Sequence, residues 1–459
     1  MKMKTTQKST MKSKKSKKKK KDTNSGQKYM TLVETTIVKP DNELFPILDN
    51  LCFLSKNVYN SAVYQYRQSY IFDKKKLSYP IINNMFVKEN NSDYYALPPK
   101  VSQQSIKLAV AEFTSYFGNL RSKKKNKNDR VVHFPGYLNS ITGRQTVFYT
   151  NQAISTVNLK TDGYYTLSKV TDDRGNLIKF KTSVTDIQFV RISHKGNHIR
   201  IEVGYKVPKV RYKVTENIAA IDLGVNNLVT LTTNFDSPII FNGKPLKYIN
   251  HNYNQLIAKN QSSNIKCNNL VNDKGDPIWT THMNKIALVR KCKIEDYLHK
   301  ISRTIVNYLV SNHITLLIIG KNDGWKQNTN MRSINNQNFV QIPFNKLISM
   351  LIYKCDTVGI KVETVCESHT SKCSFLDNEP IQHHDKYMGK RVTRDLFKTA
   401  NNKVINADVN GSYNIMKRWC ISNNCTHYLK FNKYLVYLNP IKITLKLNGK
   451  KCNIGEYIN

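Results

Sequence analysis

Residues 218–231, IAAIDLGVNNLVTL, decide the fold of this chain. Alternation along a strand puts Ile218, Ala220 and Asp222 on one face and Ala219, Ile221 and Leu223 on the other. Five of the six are apolar, so the strand belongs inside a sheet. An ionised Asp among such neighbours costs several kcal/mol unless positive charge meets it. Gly224 releases the chain, and Asn226 and Asn227 turn it into a second strand, LVTLTTN.

Strands and helices alternate beyond this hairpin. PIIFNGKPL (238–246) reads as a strand, NKIALVRKCKIEDYLHKISRTIVNYLVSNH (284–313) as a long helix with basic residues on its exposed sides, and TLLIIG (315–320) as a buried strand. PFNKLISMLIYKCDTVG (343–359) is a further helix and IKVETVCE (360–367) a further strand. The succession predicts an α/β sheet over 214–421.

The upstream pattern is different. Residues 131–213 hold several short alternating runs separated by turns at Asp173, Arg174 and Gly175 and at Lys195 and Gly196. With YMTLVETTIVK before Pro40, these predict a small β-barrel formed by 28–42 and 131–213. Residues 43–130 are helical by spacing and interrupt that barrel; Pro98 and Pro99 stop the chain and Ser102 offers a helix cap. Residues 1–27 form a Lys-rich tail expected to be disordered, and 422–459 are a carboxyl-terminal tail.

The formal charge is +40 over 459 residues. Only eleven of the basic residues are lysines of the tail's first 21 positions, so most of the excess lies on the folded part. Basicity spread that widely fits a long polyanion, through counterion release, better than a small acidic substrate. No Gly-rich phosphate loop ending in Lys-Ser/Thr and no nucleophile elbow is present, which argues against NTP hydrolysis and Ser-His-Asp chemistry. The nine Cys include no CxxC pair and read as free thiols; with neither a signal peptide nor an apolar run of spanning length, an intracellular protein is expected.

Two further acids share the character of Asp222. Glu367 closes the strand IKVETVCE, and Asp408 opens the last helix, in VINADVNGSYNIMKRW, where Gly411, Ser412, Ile415 and Trp419 share its face. Gly411 and Ser412 are small enough to bring that helix close to the sheet. Three carboxylates delivered from a first strand, a later strand end and a final helix suit Mg²⁺, a hard cation that keeps positions for water and phosphate. A pair of such ions activates water and stabilises the leaving oxygen of a phosphodiester. Spacing by itself is equally compatible with three solvated acids.

The stretches IDLGVNNLVT, GWKQ, NNQNFVQIPF, SHTSKCSFLD and NADVNGSYNI, in this order, resemble the TnpB family of transposon-encoded RNA-guided nucleases and its eukaryotic and viral relatives called Fanzor. LCFLSKNVYNSAVYQYRQ and LPPKVSQQSIK resemble that family's helical region, so the likeness spans roughly 28–420. It implies a RuvC-type, RNase H-like nuclease domain over 214–421 with a nucleic-acid-binding insertion at 368–405, preceded by a barrel-like wedge domain carrying an inserted helical recognition lobe. It also implies a guide RNA and a target DNA as partners, in a monomeric ribonucleoprotein, and Asp222, Glu367 and Asp408 as catalytic and Mg²⁺-binding residues. In a eukaryote or its virus the protein would act in the nucleus, otherwise in the cytoplasm.

The chain departs from the family at two places. Many members carry the middle acid at the end of the strand that here reads TLLIIG, where Gly320 and Lys321 stand; a subset carries it before the TSK motif, which falls on Glu367, with Glu363 and Asp323 as substitutes. The usual zinc ribbon supplies two CxxC pairs, whereas here Cys366, Cys373, His383 and His384 are the nominal donors, and zinc is not expected. These departures motivate one alternative, a guided DNA-binding protein with impaired catalysis; a further and less supported alternative is a transposase that joins DNA ends through a similar acidic triad. For nucleic-acid contacts the aromatic and basic residues Tyr59, Arg67, Trp325, Lys326, Arg332, Lys372, Arg391 and Arg394, with the amide Gln104, are the candidates, though a tyrosine such as Tyr59 reads equally as the margin of an amphipathic helix.

Overall fold

A computed structural model describes residues 28–126, 131–212, 215–268, 271, 275–321, 340–429 and 440–446. The chain opens with strand β1 (Tyr29–Val38), then helices α1 (Leu44–Asp73), α2 (Tyr79–Lys88), α3 (Ser92–Ala96) and α4 (Pro99–Asn126). Pro99 occupies the first position of α4, where a missing N–H costs nothing. Ser102 is therefore inside the helix rather than its cap, and its buried hydroxyl donates to the Tyr94 carbonyl at 2.7 Å. α1 and α4 pack by aromatic contact: Tyr66 stacks on Phe113 with ring centroids 3.9 Å apart.

Strands β2 (Val147–Thr150) and β3 (Ile154–Ser155), the short helix α5 (Leu159–Asp162), and strands β4 (Tyr164–Thr171), β5 (Leu177–Lys181), β6 (Ile187–His194) and β7 (Ile199–Pro208) follow. They do not close into the expected barrel. One four-stranded sheet runs β1-β7-β6-β2, and β3-β4-β5 form a separate three-stranded sheet. β1 pairs with β7 along its whole length, from Tyr29 opposite Pro208 to Val38 opposite Ile199. Period-2 alternation predicts that strands exist, not which edges meet. Here both sheets stay open and share a core with α1 and α4 that includes Leu48, Phe113, Tyr149 and Leu167.

The second half is built on a six-stranded sheet. β8 (Ile218–Leu223), β9 (Asn227–Thr233) and β10 (Ile239–Asn242) pair antiparallel, while β11 (Leu316–Gly320) and β12 (Lys361–Val365) add in parallel on the other side of β8. Helices α6 (Lys244–Asn268), α7 (Thr281–Ser311) and α8 (Phe344–Asp356) lie between these strands in sequence. α6 escapes a reading for apolar periodicity because KPLKYINHNYNQLIAKNQSSNIKCN is rich in Asn and thin in hydrophobic residues. After the short strands β13 (Lys390–Arg391), β14 (Leu396–Lys398) and β15 (Val404–Asn406), helix α9 (Ala407–Ser422) crosses the sheet. The expected tail contributes strand β16 (Ile441–Ile443), which pairs parallel with β10 and buries Ile443 and Leu445 in the sheet's core.

The alternation along β8 sorts its residues as the sequence predicts. Ala219, Ile221 and Leu223 join the core beneath α7 and α8, and Ile218 and Ala220 pack with Ile415, Met416 and Trp419 of α9. The sheet is covered on both faces, and Asp222 stands at the carboxyl end of β8 on the α9 side. Among the described residues no helix is long and apolar enough to cross a membrane. The amino-terminal tail to residue 27 lies outside the described residues.

Candidate active site

Strands β8, β11 and β12 run parallel, so their carboxyl ends open on one edge of the sheet, the edge where ligands gather in α/β folds. Ile221 pairs with Ile319 and Gly320 with Val365, which sets Gly320 next along from Asp222 and leaves Glu367 two residues beyond the end of β12. Asp408 enters from α9, in whose first turn it lies, with Asn406 capping the helix through the Asp408 and Val409 amides.

Small residues bring α9 down onto this edge. A Cβ at Gly411 would stand 2.7 Å from Asp222 Oδ2, so only glycine leaves that oxygen its place. Beside it, the Ser412 hydroxyl donates to the Ala220 carbonyl at 3.1 Å and shares a hydrogen bond of 2.8 Å with the Thr232 hydroxyl. Gly320 does the same for the second acid: a Cβ there would collide with Ile415 and stand 3.1 Å from Glu367 Oε2. Glu367 therefore places its carboxylate in the space that a side chain at position 320 would enter.

The three acids lie close enough to act on one another. Burial, then Glu367 and then Asp408 push the Asp222 carboxyl well above its ordinary range, against a smaller downward pull from the Leu223 amide and Arg391. Burial pushes Glu367 up to about 7. Asp408 has partners of its own: Asn227 Nδ2 donates to Oδ2 at 2.7 Å and Arg391 Nη2 to Oδ1 at 3.2 Å. With the Arg391 side chain 43% exposed, that pair contributes only about 0–1 kcal/mol, and the guanidinium is also held by the Arg394 carbonyl, which accepts from Nε at 2.8 Å and from Nη2. Among the described residues no three His, Cys, Asp or Glu side chains are placed to hold one metal ion together. The donors are nonetheless all carboxylate oxygens, and the repulsion that adds to burial in raising Asp222 is the field a hard divalent cation relieves. In those two respects the acids fit Mg²⁺.

The substitutes fall elsewhere. Glu363 accepts from Trp419 Nε1 at 2.5 Å and pairs with Lys361, away from the acid edge; Asp323 lies outside the described residues. The nominal zinc donors are also dispersed. Cys373 Sγ donates to the Gln382 carbonyl at 3.6 Å, Cys366 faces Ser368, His384 bonds the Pro380 carbonyl, and the His383 ring meets His369 edge-on. These residues do not fit a tetrahedral zinc site.

The expected nucleic-acid contacts divide. Tyr59 is 2% exposed and bonds Glu112, so its ring is core and cannot stack on a base. Arg67 donates to the Pro135 carbonyl at 2.7 Å and lies over the rings of Phe134 and Tyr137, where it anchors a loop. Gln104 lines a cleft of about 690 Å³ between α4 and the first sheet, together with Glu112, Lys107 and the pairs that Arg191 and Arg200 make with Glu202, residues the sequence did not single out. Nothing in their spacing marks them, because α4 and the strands are brought together only by folding. Lys372, Arg391 and Arg394 are exposed on the insertion, and Arg391 also reaches the acids. Trp325, Lys326 and Arg332 lie outside the described residues.

The OrfB_IS605 family, described as probable transposase, matches residues 198–326, and the Cas12f1-like TNB domain matches residues 344–415. Among solved structures, the chain is similar to a Cas12f1–sgRNA–target DNA complex, at 13% identity over 81% of this chain and 82% of that chain with a TM-score of 0.46. It is also similar to the mini-RNA-guided endonuclease CRISPR-Cas_phi3, at 11% identity over 85% and 92% with a TM-score of 0.40. A third is C2c1 of Alicyclobacillus acidoterrestris in complex with single-guide RNA, at 8% identity over 83% and 67% with a TM-score of 0.36. No curated protein matches the sequence. The two family matches bear out the TnpB resemblance and between them contain Asp222, Gly320, Glu367 and Asp408.

Proposed function

We propose that this TnpB-like chain is an RNA-guided, Mg²⁺-dependent DNA endonuclease of a mobile element, with Asp222, Glu367 and Asp408 as its metal-binding acids. The observation that carries the reading is their convergence from β8, the end of β12 and the first turn of α9, close enough that the other two raise the pKa of Asp222. The strand order β10-β9-β8-β11-β12, with the acid on the first strand of the hairpin, supports an RNase H-like domain of RuvC type.

Each residue has a task in that chemistry. Asp222, Glu367 and Asp408 would hold Mg²⁺, which when bound supplies Lewis acidity for water activation and for the leaving oxygen of a phosphodiester. Asn227 fixes the rotamer of Asp408 through Oδ2 and leaves Oδ1 facing Arg391. Arg391, held by the Arg394 carbonyl at the mouth of the site, would offer positive charge to a backbone phosphate. In the cleft Lys107 is suited to a backbone phosphate and Gln104 to a base edge beside it, while Arg191 and Arg200 are paired with Glu202.

The charge of +40 fits an RNA and a DNA held together, and base pairing by a guide would read the target while the protein reads heteroduplex shape. Sequencing the RNA that copurifies with the protein tests this directly. A discrete RNA species protected along a defined length is expected; random cellular fragments, or none, contradict the guided reading. A second reading, guided binding without cleavage, is favoured by Gly320 standing where the TnpB resemblance places an acid in many members, and by the finding that among the described residues no three side chains are placed to hold one metal ion.

A further inference from the structure

The insertion between Glu367 and Asp408 raises a question that the acids do not answer. The TnpB resemblance implies a zinc ribbon with paired cysteines in this insertion, yet its two turns, 373–379 and 399–403, hold one cysteine, Cys373, whose sulfur is turned to the Gln382 carbonyl. Such a small sheet, β13-β14-β15 with eight residues in strands, buries little: Phe397 and Ile405 are its core contributions. A domain of that size ordinarily needs a staple.

The staple is visible in the hydrogen bonds. Asp377 Oδ2 accepts from the Ser374 hydroxyl at 2.6 Å in the first turn and from the Ala400 amide at 2.9 Å in the second, so one carboxylate oxygen bridges both. Glu379, 1% exposed, accepts from the Ser374 amide at 2.6 Å and the Met388 amide at 2.9 Å, tying the first turn to the approach of β13. His384 Nε2 stands 3.9 Å from Glu379 Oε1, and Lys417 of α9 donates to the Glu379 carbonyl at 3.0 Å. From the same helix, Asn410 and Asn414 both donate to the Cys373 carbonyl, at 2.9 and 2.8 Å, and Asn410 Oδ1 accepts from the Phe375 amide. In the second turn Thr399 closes its own loop, its hydroxyl accepting from the Lys403 amide at 3.1 Å.

We propose that this insertion folds without zinc, its two turns cross-linked by the Asp377 carboxylate and its first turn anchored by Glu379. Carboxylates that accept backbone amides give strong, directional bonds, and they do for two turns what four thiolates do around a metal. The consequence is that Arg391, on β13, keeps its place over Asp408 whatever the zinc supply.

The full-length protein tests this through folding rather than cleavage, so the outcome is independent of the nuclease reading. Metal analysis of protein purified without chelator is expected to find no stoichiometric zinc, and a zinc-selective chelator to leave amide exchange over 373–403 unchanged. Asp377→Ala is expected to speed exchange at the Ala400 amide by about tenfold or more, the loss of one charge-assisted hydrogen bond. Asp385→Ala, at an exposed position of the same insertion, is expected to leave that amide as it was. Stoichiometric zinc whose removal unprotects the insertion overturns the proposal, as does unchanged exchange in Asp377→Ala. Should the alanine variant not fold, Asp377→Asn, which keeps an acceptor oxygen in place, is expected to fold and to be indifferent to added zinc; a melting temperature restored by zinc overturns the proposal.

Discussion

Adding a single methyl group at Gly320 separates a catalytic role for Glu367 from a merely structural one. The Cβ of Gly320→Ala would collide with Ile415 Cδ1 and stand 3.1 Å from Glu367 Oε2. Ile415 is fully buried against Ile218, Ala220 and Ile318, so its methyl has little room to retreat, and part of the strain passes to Glu367. Overpacking of this kind costs about 1–3 kcal/mol. The loss of glycine's freedom in the unfolded chain returns about 0.4–1 kcal/mol, because the residue lies in a strand. The net cost of about 0–2.6 kcal/mol is below the ~5–15 kcal/mol typical of a folded domain, so the variant folds. Cleavage should fare worse, since displacing a reacting group by about 1 Å costs on the order of 10²-fold. The assay is single-turnover cleavage of a target duplex, with thermal melting alongside. A large drop in rate with a small drop in melting temperature is expected for Gly320→Ala, and near-complete loss for Glu367→Gln. Full activity in either variant would refute the placement of Glu367 among the reacting groups.

Two further outcomes follow from particular residues. Glu367 has an ordinary pKa of 4.5 and about 7 in the fold, so the folded chain keeps a proton that the unfolded chain has already lost. Stability from this group is then full below pH 4.5 and falls as pH rises towards about 7, by at most roughly 3 kcal/mol. In metal-free protein, Glu367→Gln should flatten the decline of melting temperature over that window, and Mg²⁺ should stabilise the wild type more at the high end than at the low end; an equal slope in both proteins would contradict it. Tyr59→Phe removes a hydroxyl bonded to Glu112 inside the helical pair, and should cost about 1 kcal/mol in denaturant melts while leaving nucleic-acid affinity unchanged. Weakened RNA or DNA binding in that folded variant would restore Tyr59 as a contact residue.

What could be read in the sequence was whatever local pattern governs. The β8 alternation predicted both faces of the central strand, because a sheet covered on two sides leaves each residue only one of two environments. The small residues before Ile415 predicted the close approach of α9 for the same reason. Partnerships over long separations were not legible: β1 pairing with β7 instead of closing a barrel, β16 reaching back to β10, and the cleft joining Gln104 and Lys107 to Arg191 and Arg200. α6 was lost because its Asn-rich sequence dilutes the helical period, and Tyr59 was misplaced because a tyrosine on an amphipathic helix looks the same from either side of the surface. The hydrogen-bonded staple of the insertion had no signal at all, since Asp and Glu in a polar loop are ordinarily solvated.

The measurement that bears most directly on the whole account is the Mg²⁺ dependence of target cleavage by the purified ribonucleoprotein, wild type against Asp222→Ala. Cleavage that rises with Mg²⁺ in the wild type and is abolished in the variant, with target binding intact in both, is the predicted result. Target binding without cleavage at any Mg²⁺ concentration, or cleavage that survives Asp222→Ala, would contradict it.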